Sequence, residues 1–173
     1  MPEEPQENLD LFDDHEEEIV SEDGKKVTRK GIFLLPNLLT TASLFSGFFS
    51  IISAINGNFI ASGMALFAAQ MLDGLDGRVA RLTNSQSLFG AQYDSLCDVI
   101  SFGLAPAIIV FLWGLDSIGQ TGWVFSFLYV AAAALRLARF NTYIGSEDTY
   151  FKGLPSPVAS GMIVYFVWAM SSL

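Results

Sequence analysis

The stretch M-L-D-G-L-D-G-R-V-A-R-L-T-N-S-Q-S-L-F-G-A-Q-Y-D-S-L-C-D, Met71 to Asp98, decides the fold. It reads as two helical pieces around a short polar turn, Thr83-Asn84-Ser85-Gln86, and each piece carries a pair of acids. Asp73 and Asp76 are i,i+3, and Asp94 and Asp98 are i,i+4, so each pair projects from one helix face. In an antiparallel hairpin, residues equidistant from the turn meet at one depth. Asp73 and Asp98 are centred between positions 85 and 86, and Asp76 and Asp94 on Ser85, so the four carboxylates are expected to face one another. Four such groups cannot all stay ionised at close quarters without cations. Their oxygens suit hard divalent ions such as Mg²⁺ or Mn²⁺. Gly74, Gly77 and Ala80 on the first helix, and Gly90, Ala91 and Ser95 on the second, permit close approach, whether of helix to helix or of ligand to backbone.

Outward from the hairpin the chain is strongly apolar. A bilayer core needs about 20 mostly apolar residues per helix, and five stretches qualify: Phe33–Ile55, Phe59–Leu82, Leu88–Leu115, Gly122–Phe140 and Pro157–Leu173. The joints carry turn chemistry in Asn56-Gly57-Asn58, in residues 83–86, in residues 116–121 and in residues 141–156. Ser156-Pro157 reads as a helix cap followed by proline at the first helical position. The expected fold is therefore all-α, a polytopic transmembrane helical bundle. If the N-terminus lies in the cytoplasm and the spans alternate, all nine bases fall on the inner side: Lys25, Lys26, Arg29, Lys30, Arg78, Arg81, Arg136, Arg139 and Lys152.

The formal net charge of −9 belongs to one end of the chain. Residues 1–24 hold eleven Asp and Glu and no Lys or Arg, whereas the remainder has seven acids against nine bases. Two domains are expected: residues 1–30, an acidic, disordered or loosely helical cytoplasmic tail with a basic juxtamembrane end, and residues 31–173, the transmembrane domain. His15, alone among acids, is read as a solvated spectator. The tail lacks a basic n-region and a small-residue cleavage site, so no signal peptide is expected there. Cys97 is the only cysteine, so no intrachain disulfide is expected.

The motif Asp73-x-x-Asp76-Gly77-x-x-Ala80-Arg81, eight residues, Gly90, three, Asp94, three, Asp98 resembles the full signature of the CDP-alcohol phosphatidyltransferase family. Within that family, D-S-L-C-D-V-I-S-F-G-L-A-P-A (Asp94–Ala107), L-R-L-A-R-F-N (Leu135–Asn141) and G-L-P-S-P (Gly153–Pro157) resemble bacterial and archaeal phosphatidylserine synthases. L-P-N-L-L-T (Leu35–Thr40) is similar to the family's first-helix opening. The resemblance covers roughly residues 30–173. It implies a six-helix core, of which five spans are visible here. It further implies a homodimer, two divalent metal ions (Mg²⁺ or Mn²⁺), and an active site on the cytoplasmic side.

The reaction implied is transfer of a phosphatidyl group from CDP-diacylglycerol to the hydroxyl of L-serine, releasing CMP. By resemblance, Asp73, Asp76, Asp94 and Asp98 hold the metals, and Asp98 also serves as general base. Asn37, Thr40, Gly77, Arg81 and Ser87 would contact CDP-diacylglycerol, although Asn37 and Thr40 read equally well as turn and cap residues. Arg136 and Arg139, one helical turn apart, suit serine or phosphate contacts, as Lys152 does more weakly. Snorkelling of the arginines to lipid headgroups is the other reading. Two alternatives stand beside serine transfer. One is the same chemistry with glycerol 3-phosphate, inositol phosphate or an archaeal lipid donor. The other is a divalent-cation transporter, which would want acids along a path through the bilayer rather than at one depth. Substrates and the lipid bilayer are the expected partners, and no nucleic acid.

Overall fold

The computed structural model describes residues 18–20, 26–28, 34–83, 88–142 and 154–171. The chain divides into two units, Met1–Ile32 and Phe33–Leu173. In the first, strands β1 (Glu18–Val20) and β2 (Lys26–Thr28) pair antiparallel, with Ile19 opposite Val27. These six residues of the expected disordered or loosely helical tail are extended. Ile19, Val20, Val27 and Thr28 are β-branched and favour extended backbone. The rest of the tail, His15 included, lies outside the described residues.

The second unit consists of helices and their connecting turns among its described residues. Helices α1 (Leu34–Ile55) and α2 (Phe59–Leu82) form a hairpin about Asn56-Gly57-Asn58. Gly57 takes φ +75°, which glycine adopts without a Cβ penalty, and Asn58 Oδ1 caps α2 by accepting from Ala61 N at 3.0 Å. Helix α1 is apolar on the outside and small or polar on the inside. Leu35, Leu38, Phe45, Phe48, Phe49, Ile52 and Ile55 are exposed, whereas Thr40, Ser43, Gly47, Ser50 and Ala54 are buried at spacings of three and four. That inversion of the soluble pattern is what lipid outside and close helix contact inside would select. The buried serines bond across the hairpin: Ser43 Oγ donates to Ala69 O at 2.9 Å, and Ser50 Oγ to Ser62 O at 2.8 Å.

The expected third span is not a uniform helix. It comprises α3 (Leu88–Asp98), a π-helical segment (Val99–Leu104) and α4 (Ala105–Trp113). Pro106 explains the widened turn. It has no N–H for the carbonyl of Phe102, four residues back, and its ring crowds that carbonyl. The Ala105 N–H instead reaches back five residues to Ile100 O. The freed Phe102 carbonyl accepts from Tyr129 Oη at 3.1 Å. Gly47 lets α1 lie against this segment, since a Cβ there would stand 2.9 Å from Ser101 Cα. Helix α5 (Gln120–Thr142) follows a 3₁₀ turn (Leu115–Ile118) and Gly119 at φ +64°. Helix α6 (Ser156–Ser171) begins one residue before the sequence-based start, with Pro157 as its second residue. A core of Ile51, Leu66, Ala69, Phe102, Ile109, Val164 and Val167 joins α1, α2, α4 and α6 around the π segment.

Among the described residues, three helices are long and apolar enough to cross a membrane: Leu35–Ile55, the joined α3–α4 helix Phe89–Trp113, and Gln120–Asn141. Helix α6 is shorter, though apolar. Helix α2 has the length, but its acids and arginines at residues 73, 76, 78 and 81 lower its hydropathy.

Candidate metal centre and active site

The acidic residues of the hairpin meet as the spacing requires. Asp73 and Asp76 on α2 and Asp94 on α3 each bring an oxygen within 4.8 Å of the others. The carboxyl of Asp98 lies beside that of Asp73. Asp76 is buried, and the other three are half-buried. Asp94 Oδ1 is buried without a hydrogen-bond partner. An orphaned carboxylate oxygen aimed among other acids fits a cation. Because all the donors are hard oxygens, the set suits a divalent ion such as Mg²⁺ or Mn²⁺.

Helix α1 supports this centre from one side. Thr40, 5% exposed, donates from Oγ1 to Asp76 Oδ2 at 2.6 Å, with Pro36 O also within reach at 3.1 Å. One residue further along the chain, Thr41 Oγ1 and Tyr93 Oη lie 2.9 Å apart, tying α1 to α3 one residue before Asp94. Asn37 is half-buried, and its carbonyl accepts from Thr41 Oγ1 at 2.7 Å. Neither Thr41 nor Tyr93 was singled out from sequence. Tyr93 could have been, as a polar-tipped residue next to a motif acid.

Gly74 and Gly77 have open space where a Cβ would be. Among the described residues nothing packs on them, so helix contact does not account for these glycines. Arg81 is exposed, and its Nε donates to Gly77 O at 2.9 Å, which folds the side chain back along α2 toward that open backbone. Ser87 and Lys152 lie outside the described residues.

The C-terminal end of α5 borders the same region. Ser95 Oγ, between the two acids of α3, donates to Asn141 Oδ1 at 3.1 Å. Arg136, half-buried on α5, donates from Nη1 to Ser156 Oγ at 2.7 Å, so it is bound to the first residue of α6. Arg139 is exposed on the last turns of α5.

Comparison with known proteins agrees with the motif. The chain is 44% identical over 137 residues to a CDP-diacylglycerol–serine O-phosphatidyltransferase of Helicobacter pylori, covering 79% of this chain and 58% of that protein. A Mycobacterium tuberculosis protein of the same name is 39% identical over 145 residues, covering 79% and 50%. An archaetidylserine synthase of Methanothermobacter thermautotrophicus is 40% identical over 144 residues, covering 82% and 60%. The chain thus spans about half the length of the curated relatives it matches. No solved structure matches. Residues 33–172, which include every described acid of the cluster, match the family described as CDP-alcohol phosphatidyltransferase, and the chain belongs to that family.

Proposed function

We propose that this chain transfers a phosphatidyl group from CDP-diacylglycerol to the hydroxyl of L-serine, giving phosphatidylserine and CMP. The observation that carries the reading is the acidic cluster of Asp73, Asp76 and Asp94, with Asp98 at its edge beside Asp73. The names of its relatives supply the acceptor. Two divalent ions held by Asp73, Asp76 and Asp94, with Asp98 sharing one, would neutralise the diphosphate and the departing CMP. The open backbone at Gly74 and Gly77 leaves room for the nucleotide, with Arg81 beside it and Ser87 nearby in sequence. Thr40, bonded to Asp76, and Asn37, one turn before it on α1, are assigned to the same donor.

In the transfer, the acceptor hydroxyl oxygen bonds to the phosphorus of the phosphatidyl group. The bond from that phosphorus to the bridging oxygen breaks, and CMP leaves with the electron pair. Asp98 takes the hydroxyl proton, a role for which a carboxylate at the edge of the cluster is suited. Arg136 and Arg139 supply guanidinium groups for the serine carboxylate or a phosphate, with Lys152 in the following loop.

The reading includes five membrane spans, with α2 and α6 crossing beside the three long apolar helices. It also includes a cytoplasmic N-terminus and active site, a homodimer, and a division into residues 1–30 and 31–173. The placement of all nine bases on one side supports the orientation. The clustering of the acids at one place, rather than along a path, argues against a cation transporter.

The test is CMP release from CDP-diacylglycerol in detergent with labelled serine, against glycerol 3-phosphate and inositol phosphate as rival acceptors. A parallel arm uses the archaeal ether-lipid donor, because a relative named archaetidylserine synthase is 40% identical. Serine-dependent CMP release is expected. Release that depends on a rival acceptor would reassign the substrate.

A further inference from the structure

Gln70 interrupts the apolar run A-A-Q-M-L of α2, one turn before Asp73. A carboxamide in such a segment is costly unless all its polar atoms find partners. Here they do, and every partner is on α6. Nε2 donates to Pro157 O at 2.5 Å and lies 3.3 Å from Ser160 Oγ. Ser160 Oγ donates to the same Pro157 carbonyl at 2.8 Å. Tyr165 Oη donates to Gln70 Oε1. The facing helix keeps space for the amide: a Cβ at Gly161 would stand 2.9 Å from Gln70 Nε2.

The anchored turn has a second attachment. Ser156, adjacent to Pro157, accepts from Arg136 Nη1 at 2.7 Å. The chain of contacts therefore runs from the helix bearing Asp73 and Asp76, through Gln70 to the first turn of α6, and from there to a guanidinium on α5. Apolar contact, such as Phe67 against Tyr165, could hold α2 and α6 together by packing alone. It would not fix the height of Ser156 along α2, whereas hydrogen bonds to one named carbonyl do.

We propose that Gln70 is a positioning residue, whose amide registers the first turn of α6 on the acidic helix and thereby sets Arg136 for the acceptor. This rests on the proposed transferase reading for what Arg136 does, but not for the α2–α6 joint itself.

Gln70→Met keeps length and volume while removing both hydrogen-bonding functions. Its expected signature is a tenfold or larger rise in KM for serine, with KM for CDP-diacylglycerol within about twofold of wild type. In an Arg136→Gln background, Gln70→Met should add little, because both changes remove the same effect. Gln70→Glu, which keeps an acceptor for Tyr165 but sets an oxygen against the Pro157 carbonyl in place of the donor, should recover none of the loss. Equal changes in both KM values, or losses that multiply in the double variant, would overturn the proposal. A second arm needs no turnover. In a Cys97→Ser background, Leu154→Cys just before α6 is alkylated with a water-soluble maleimide. Gln70→Met should change that rate at least threefold, and an unchanged rate overturns the joint. If the parent protein transfers to no alcohol while the alkylation rate still shifts, the transferase reading fails and the α2–α6 registration stands.

Discussion

Thr40 donates its hydroxyl to Asp76 Oδ2 across 2.6 Å, from the second turn of α1 to the acidic segment of α2. The bond fixes which Asp76 oxygen turns toward Asp73 and Asp94, and outer groups that orient a metal-binding carboxylate typically matter 10–100-fold for affinity. Thr40→Val keeps the β-branched shape and loses the donor. We expect the half-activating concentration of Mg²⁺ or Mn²⁺ to rise by about 10–100-fold, with most of the rate recovered at saturating metal. A metal titration of CMP release checks this. An unchanged midpoint with weaker CDP-diacylglycerol binding would instead make Thr40 a donor contact.

Asp94 Oδ1 is buried with no hydrogen-bond partner, a state that costs free energy unless a cation completes it. Exhaustive chelation should therefore abolish CMP release, and restored Mg²⁺ or Mn²⁺ should bring it back. Asp94→Ala should not be rescued by metal at any concentration. Undiminished turnover after chelation would remove divalent ions from the reading.

The hairpin of acids was legible because its logic is local. Spacing across a short turn put Asp73 opposite Asp98 and Asp76 near Asp94, and the folded chain brings them together. The α1–α2 turn was legible for a similar reason, since only glycine takes φ +75° comfortably at position 57. Contacts between helices distant in sequence were not. Thr41 with Tyr93, and Gln70 with Pro157, depend on helix rotation, which apolar stretches without a polar stripe do not reveal. The π segment had a visible cause in Pro106, but a proline inside a span can kink, cap or widen a helix. The choice was made by Tyr129, which takes the freed Phe102 carbonyl. The β1–β2 pairing was hidden by composition, because the acids around Ile19 and Val20 outweigh two β-branched residues in any average.

The five-span reading makes a topological prediction. Single cysteines at Asn84 and Lys152 should label from the same side of sealed vesicles, and cysteines at Asn58 and Gln120 from the other. Native Cys97 is buried and contributes little background. Asn84 and Lys152 labelling from opposite sides would contradict the reading, most directly by removing the α3–α4 helix or α5 as a span.

Asp98→Asn should damage turnover more than donor binding, whereas Asp73→Asn should damage both. The two carboxyls lie beside each other, yet only Asp73 belongs to the tight group with Asp76 and Asp94. Asp98 can therefore touch the metal region with one oxygen and turn the other toward the acceptor. Asn is nearly isosteric and still offers one oxygen, but it cannot take a proton at neutral pH. Loss of a positioned base typically costs 10²–10⁴-fold in rate, and that range is expected for the single-turnover rate of Asp98→Asn, with CDP-diacylglycerol affinity within a few-fold of wild type. Asp73 has no second duty of this kind. Replacing it weakens the hold on the cation, and with it the hold on the diphosphate. Donor affinity and single-turnover rate at saturating metal separate the two variants. If Asp98→Asn transfers to serine at a near wild-type rate, a water or another acid takes the proton.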